Sequence, residues 1–510
     1  MSRGDLGGPI GDGQPYYEHV RRLRRIHGSG PLPQGGRPLP DGEEPPSRRT
    51  PERADVARLA RLLSRWPLDR GLLATLDGML RELDVSGGRE ELAAGIRALE
   101  HVPAERLRLL GRWLARTGTH AGAVDLGLIL LGVAGGDDDR DLILALGSLE
   151  RCCCCAADAL VASQSRPHEA LLEMARRSGG WARVDALRPL RGARVEPRDA
   201  DWLIRDACDG GFLDVYFADV VAETGDLAGA LGPEAVDDGL LDGAGRVLRA
   251  LCELAWPSPG ILDYRDAETA VRHYARHIAA RPPTMDGLCR LVEVYAFLRS
   301  GRAGQGPWSA EGLARVRDLY RELLTSPEAQ AIVAAGMASA DPDEFNGAVW
   351  VADHVGLPVR DPLLRRLESD PLNRHAWCWL LDGGPAAGAA ATAEDVGVAL
   401  AAAERLLPLR RLMTGPSPPA GDADPYEDIL DLVVSRLRAH PGHGWAIIRT
   451  ALRNHVHAHR VMAVRALERW SPELFPEEAL DVLESVHAAE PHAELRDDLA
   501  ALITRAGPAT

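Results

Sequence analysis

Histidine is the residue of this chain with the most chemistry to offer, and seven of the 16 histidines (His440, His443, His455, His457, His459, His487 and His492) lie beyond residue 439. In the run His455-Val456-His457-Ala458-His459, helical geometry sets His455 and His459 four residues apart on one face. At that spacing two imidazoles can share a transition-metal ion, with His443 or a carboxylate from a neighbouring helix completing the set. An inter-helix loop followed by a polar first turn explains the same run, and it is preferred because no second ligand pair at fixed spacing accompanies it. His273 and His277 repeat the spacing, but they fall on the polar side of the stripe Val271, Tyr274, Ala275 and Ile278, so an exposed pair is expected there.

Four consecutive cysteines, Cys152 to Cys155, raise the prospect of metal or redox chemistry. Adjacent residues step around a helix by 100°, so they cannot converge on one ion, and packing as small buried hydrophobes is expected instead. The remaining cysteines, Cys208, Cys252, Cys289 and Cys378, form neither a paired framework nor a zinc spacing, which fits a reducing cytoplasm. Asp137, Asp138, Asp139 and Asp141 lack the spacing of a calcium loop and suit a helix N-terminus.

The chain of 510 residues contains no lysine, so all 59 basic residues are arginine. Schiff-base and pyridoxal chemistry are thereby excluded, as is a nucleotide-binding loop that needs its lysine. The glycines of Gly301-Arg302-Ala303-Gly304-Gln305-Gly306 have the wrong spacing for a phosphate cradle, and no G-x-S-x-G elbow occurs. No residue is therefore expected to be catalytic and no cofactor is expected. Among the 11 tryptophans, Trp377 and Trp379 are the interface candidates, because they stand beside a glycine-rich segment where an interface could form, but at helical spacing a core position is the preferred reading.

These residues must be positioned by helices. From Thr50 onward apolar residues recur at helical period, about thirty residues per helix pair, with Gly, Pro and Asp at the joints. Thr50-Pro51-Glu52 reads as a helix start, and Val56, Leu59, Ala60, Leu62, Leu63 and Trp66 share a face opposite Arg58, Arg61 and Arg65. Further helices are expected at 68–83, 90–101, 104–116, 120–133, 167–177, 181–190, 198–208, 212–223 and about 233–255, with two more between 266 and 300. The run near Ala331 (AIVAAG) is ambiguous between helix and strand. The expected fold class is all-α, an α-solenoid of stacked antiparallel helix pairs.

Residues 1–50 are rich in Gly and Pro and are expected to form a disordered arm. Within it Tyr16–His27 is a basic segment suited to dock onto the body or a partner. Glycine-rich stretches at 301–307, 383–392 and 414–425 divide the body into expected blocks at 51–300, 308–413 and 426–510. Acidic residues number 75 and the net charge is -16, which repels phosphate backbones and anionic membranes. The longest apolar run, 126–134, is about half of a bilayer span.

In the run Ala458-His459-Arg460-Val461-Met462-Ala463-Val464-Arg465-Ala466-Leu467, the residues Met462, Ala463, Ala466, Leu467 and Trp470 share a face, and Arg465, Glu468 and Arg469 lie outside it. With Arg460, Ala463, Arg465, Ala466 and Leu467 this segment is similar to the second-helix signature of HEAT and armadillo-like proteins, and 141–160 is a weaker echo. The segment 181–231 also resembles a bacterial helical-repeat group to which no activity attaches. The resemblance implies stacked helix pairs and a scaffold role. A HEAT-fold di-iron hydroxylase would need several His-Glu dipeptides, whereas His168-Glu169 stands alone, so that activity is not implied. The expected function is a non-enzymatic cytoplasmic scaffold that binds a protein partner. A nucleic-acid-binding or base-processing protein, or a metal-dependent enzyme using the C-terminal histidines, is the alternative.

Overall fold

Alanine, leucine and arginine carry high helix propensity, and their 3.6-residue patterning produces helices throughout the computed structural model. The structure describes residues 13–42, 49–65, 70–253, 259–384, 391–417 and 424–506; Trp66 and Leu68 of the expected first helices lie outside them. Among the described residues the only β-type pairing is one isolated bridge between Arg49 and Leu83. The ambiguous run at Ala331 is part of a helix, Pro327–Gly336.

The chain groups into two compact units. One comprises 1–281 with 297–317, and the other 282–296 with 318–510. The glycine-rich segment 301–307 lies inside the first.

In the first unit the helix Ala121–Ala134 is apolar almost all round and is buried from Ala121 to Leu131. It lies between Ala104–Thr117 and Cys153–Ser163. Gly111 and Gly127 permit the first of these crossings: a Cβ on Gly127 would stand 2.7 Å from the Ala115 amide nitrogen. The same helix buries Asp125 completely, and Arg151 Nη1 answers it at 3.1 Å, because a charge removed from water needs a partner.

The second unit packs Arg374–Asp382, Ala393–Leu406, Tyr426–Arg436, Trp445–Leu452, His457–Leu467, Ala479–Ala489 and Ala493–Ala506 around one core. Within His457–Leu467 the buried residues are His459, Arg460, Ala463, Val464, Ala466 and Leu467, while Met462 is half-buried. Arg460 is nearly inaccessible. Its Nη1 donates to the carbonyls of Asn454 and His455, and Nε and Nη2 grip both oxygens of Glu490. One side chain thereby fastens the turn before its own helix to the joint between the next two.

Packing partners are mostly near neighbours along the chain. Arg140–Gly147, Cys153–Ser163, Pro167–Arg177 and Gly180–Leu187 contact one another in succession, and Tyr426–Arg436, Trp445–Leu452 and His457–Leu467 do likewise. An ion pair reaching to a following element recurs with this packing. Arg108 bonds Asp139 31 residues on, Arg140 bonds Glu173 at 33, Arg205 bonds Asp237 at 32, Arg360 bonds Asp395 at 35 and Arg460 bonds Glu490 at 30. Most of these pairs are partly exposed and contribute about 0–1 kcal/mol each. The Arg460–Glu490 pair, with side chains 2% and 0% exposed, differs in kind, since removing one partner would strand a buried charge at a cost of about 3–5 kcal/mol.

Three expectations are corrected. The helix start moves from Thr50 to Glu52, because Asp55 accepts from the Glu52 amide at 3.0 Å while Arg49 holds its carboxylate in two bonds. Residues 13–42 of the arm are ordered against the first unit: Tyr16–His27 is helical, with Tyr16 and Val20 fully buried, and the Tyr16 hydroxyl bonds Asp41, whose other oxygen accepts from the Ala121 amide. Its Gly and Pro residues prevent a core of its own but not burial on another surface. His277, expected at the surface, is buried with Nε2 2.9 Å from the Leu231 carbonyl, and His273 is half-buried beside the Ala228 carbonyl.

Candidate functional site

Two short motifs place aromatic rings at the surface of the first unit. Ser178-Gly179-Gly180-Trp181 and Asp209-Gly210-Gly211-Phe212 each set a glycine pair before an aromatic residue. Gly180 and Gly210 have φ of +59° and +89°, a left-handed backbone that glycine adopts without a Cβ penalty. The chain turns there and re-enters helix at once. Trp181 falls in the first turn of Gly180–Leu187 and Phe212 begins the 3-10 turn Phe212–Tyr216.

The rings converge on Tyr216. Its centroid is 5.0 Å from that of Trp181 and 6.0 Å from that of Phe212, the latter edge to face, an arrangement that ring quadrupoles favour. Phe212 is 71% exposed and Trp181 43%, while Tyr216 is half-buried beneath them. Most other large apolar side chains among the described residues are covered, so two exposed rings meeting on a third form an apolar patch.

Polar groups hold the patch from below. Arg183 Nε donates to the Ser178 carbonyl at 3.0 Å, and its Nη1 donates to the Ala207 carbonyl at 3.0 Å and to Asp209 at 3.3 Å, so one guanidinium bridges both glycine turns. Arg246 Nε donates to the Cys208 carbonyl at 2.7 Å, and Asp214 accepts from the Gly210 amide at 2.8 Å. Burial pushes the Asp214 carboxyl up to about 6, opposed by the Gly210 hydrogen bond. What the patch offers is two exposed aromatic rings on backbone held by hydrogen bonds, and aromatic side chains are prominent at protein interfaces.

Trp377 and Trp379, the interface candidates for which a core position is the preferred reading, lie in the core. Trp377 is fully buried in the second unit with Nε1 donating to the Pro371 carbonyl at 2.9 Å, and Trp379 is buried edge-on to Trp350. Helical spacing turned both inward.

The expected metal candidates do not assemble. His455 Nδ1 lies 3.0 Å from Thr414 Oγ1 and 3.2 Å from Glu427 Oε1. His459 Nδ1 is 3.1 Å from Asn454 Oδ1, and burial holds this imidazole below its ordinary pKa. His443 is exposed beside His440. A different set of C-terminal residues, His457, Glu490 and His492, does converge.

Cys152, Cys153 and Cys155 are buried, and Cys154 is half-buried in a cleft of about 360 Å³ with Arg89, Asp158, Asp185 and Arg188. Burial pushes the Cys152 and Cys153 thiols up, whereas a hydrogen bond from Cys155 and the nearby Arg89 guanidinium bring Cys154 down against the opposing effect of burial. Asp139 is buried, bonded to Arg108 and Arg112, and accepts from the Gly136 amide ahead of the helix it begins.

Comparison with protein-family models, with curated proteins and with solved structures finds no match to this chain. Its class therefore rests on its own architecture, an all-helical protein of many packed helices.

Proposed function

We propose that this chain is a non-enzymatic, HEAT/armadillo-like solenoid scaffold that binds a protein partner in the cytoplasm through the Trp181–Tyr216–Phe212 surface. The observation that carries the reading is the exposure of two rings on backbone that Arg183 and Asp214 hold rigid, because a preformed anchor loses little conformational entropy on binding. The near-neighbour packing and the arginine-to-acid pairs one helix pair apart support a stacked array, in which each pair buries its apolar face on the next.

Nucleic acid is a poorer partner. The net charge is -16, and Arg108, Arg140, Arg205, Arg360 and Arg460 already pair with carboxylates, so a phosphate backbone would have to compete with covalently tethered acids. Among the described residues no helix is long and apolar enough to cross a membrane.

Affinity capture with the full chain tests the reading. Proteins retained by the wild type are expected to be lost by W181A/F212A while its thermal midpoint stays within a few degrees of wild type, since both rings face solvent. Equal capture by the two chains would place the binding surface elsewhere.

A further inference from the structure

The second unit brings together two histidines and a glutamate from three different positions in the chain. His457 is the first residue of the helix His457–Leu467, Glu490 follows the helix Ala479–Ala489, and His492 precedes the helix Ala493–Ala506. One ligand atom from each lies within 4.8 Å of the other two. The imidazole centroids are 4.0 Å apart with the ring planes inclined by 38°. Both histidines are exposed and Glu490 is buried, so the group opens to solvent on the imidazole side and is anchored on the carboxylate side.

The anchoring is specific. Glu490 Oε2 accepts from Arg460 Nε at 2.7 Å, and Oε1 accepts from Arg460 Nη2 at 3.1 Å and from the His492 amide at 3.1 Å. A carboxylate offers about four lone-pair sites, and these bonds occupy three, so Oε2 keeps one for a further ligand. Arg460 is itself fixed by the Asn454 and His455 carbonyls, which makes it the kind of outer partner that orients a ligating carboxylate. Neither imidazole ring is held by a hydrogen bond among the described residues, so both can turn their nitrogens toward a shared ion.

We propose that His457, His492 and Glu490 form a binding site for one borderline divalent transition-metal ion such as Zn²⁺. Two imidazoles and one carboxylate suit that class, whereas calcium and magnesium prefer oxygen-only sets. Three protein ligands leave at least one coordination position for water or for an exogenous donor. This site uses none of the aromatic-surface residues and none of the His455, His459 and His443 side chains, and its failure would leave the scaffold reading untouched.

The test is a Zn²⁺ titration of the full-length, chelator-stripped chain in competition with a chromophoric chelator. The wild type is expected to bind one equivalent more tightly than any remaining surface histidines. H457A and H492A, both at exposed positions and checked for native helix content, are each expected to weaken that equivalent by about tenfold or more. H443A, as a control at an exposed position with no part in the site, is expected to bind as wild type does. Wild-type affinity in both H457A and H492A, or loss of the tight equivalent in H443A alone, would overturn the assignment.

Discussion

Arg183 and Asp214 show how single residues turn two loops into one surface. Arg183 reaches the backbone ahead of both glycine turns, and Asp214 receives the amide of Gly210 from within the second. The Asp214 carboxyl is raised to about 6 in the fold, against an ordinary value near 3.9, with burial as the leading cause. The folded state therefore binds a proton more tightly than the unfolded chain. That contribution to stability is full below about pH 4 and is lost as pH rises through 6. In thermal melts the midpoint of the wild type is accordingly expected to fall relative to that of D214N between pH 4 and pH 7. A constant difference, or one of opposite slope, would show that the amide donors outweigh burial and that Asp214 is an ordinary anion.

At the scale of elements, the glycine turns and the N-terminal helix carry the most weight. Gly210 has open space around a notional Cβ, its nearest neighbour being Arg246 Cδ at 3.7 Å, so G210A should cost only the left-handed backbone penalty, about 1–2 kcal/mol. Relieving that penalty would rotate Phe212, so partner capture is expected to weaken by more than the loss of stability accounts for. Y16A should release the helix Tyr16–His27, because a fully buried aromatic is worth about 3–5 kcal/mol. Trypsin is then expected to cut at Arg21 to Arg25 faster than in the wild type, and unchanged cleavage would mean that the helix is held by other contacts.

Legibility from sequence follows the range of the forces involved. Pro167–Arg177 and Ala104–Thr117 could be read almost to the residue, because period and proline placement are local signals. The Arg198–Cys208 segment expected as one helix is helical without a break over 197–207 but passes from α to π geometry at Leu203, whereas 212–223 breaks after Tyr216. The inward turn of Trp377 follows its helical spacing, whereas the docking of Tyr16 depends on surfaces distant in sequence, which periodicity does not encode. The same holds for His457 and His492, joined by Glu490 across a helix-to-helix joint, although both belong to the histidine-rich C-terminal stretch. The exposure of Trp181 and Phe212 did leave a trace, the twin glycine-glycine-aromatic junctions, whose shared form is visible once both rings are seen to meet on Tyr216.

Over the whole molecule, helices pack chiefly on their sequence neighbours, and arginine-to-acid pairs link many of them to an element about one helix pair further on. In the proposed stacked array, binding falls to surfaces where apolar side chains remain uncovered. The chain's lack of lysine removes Schiff-base chemistry and its acidic balance disfavours phosphate backbones, both in keeping with the proposed binding of a protein partner. The most direct measurement is site-specific photo-crosslinking in cells, with p-benzoylphenylalanine at Phe212 and, as a control, at the exposed Leu474 of the other unit. A discrete adduct from position 212 that is absent from position 474 and lost when Trp181 is also changed to Ala is the expected result. No adduct at 212, or the same adducts from both positions, would contradict a binding surface built on these rings.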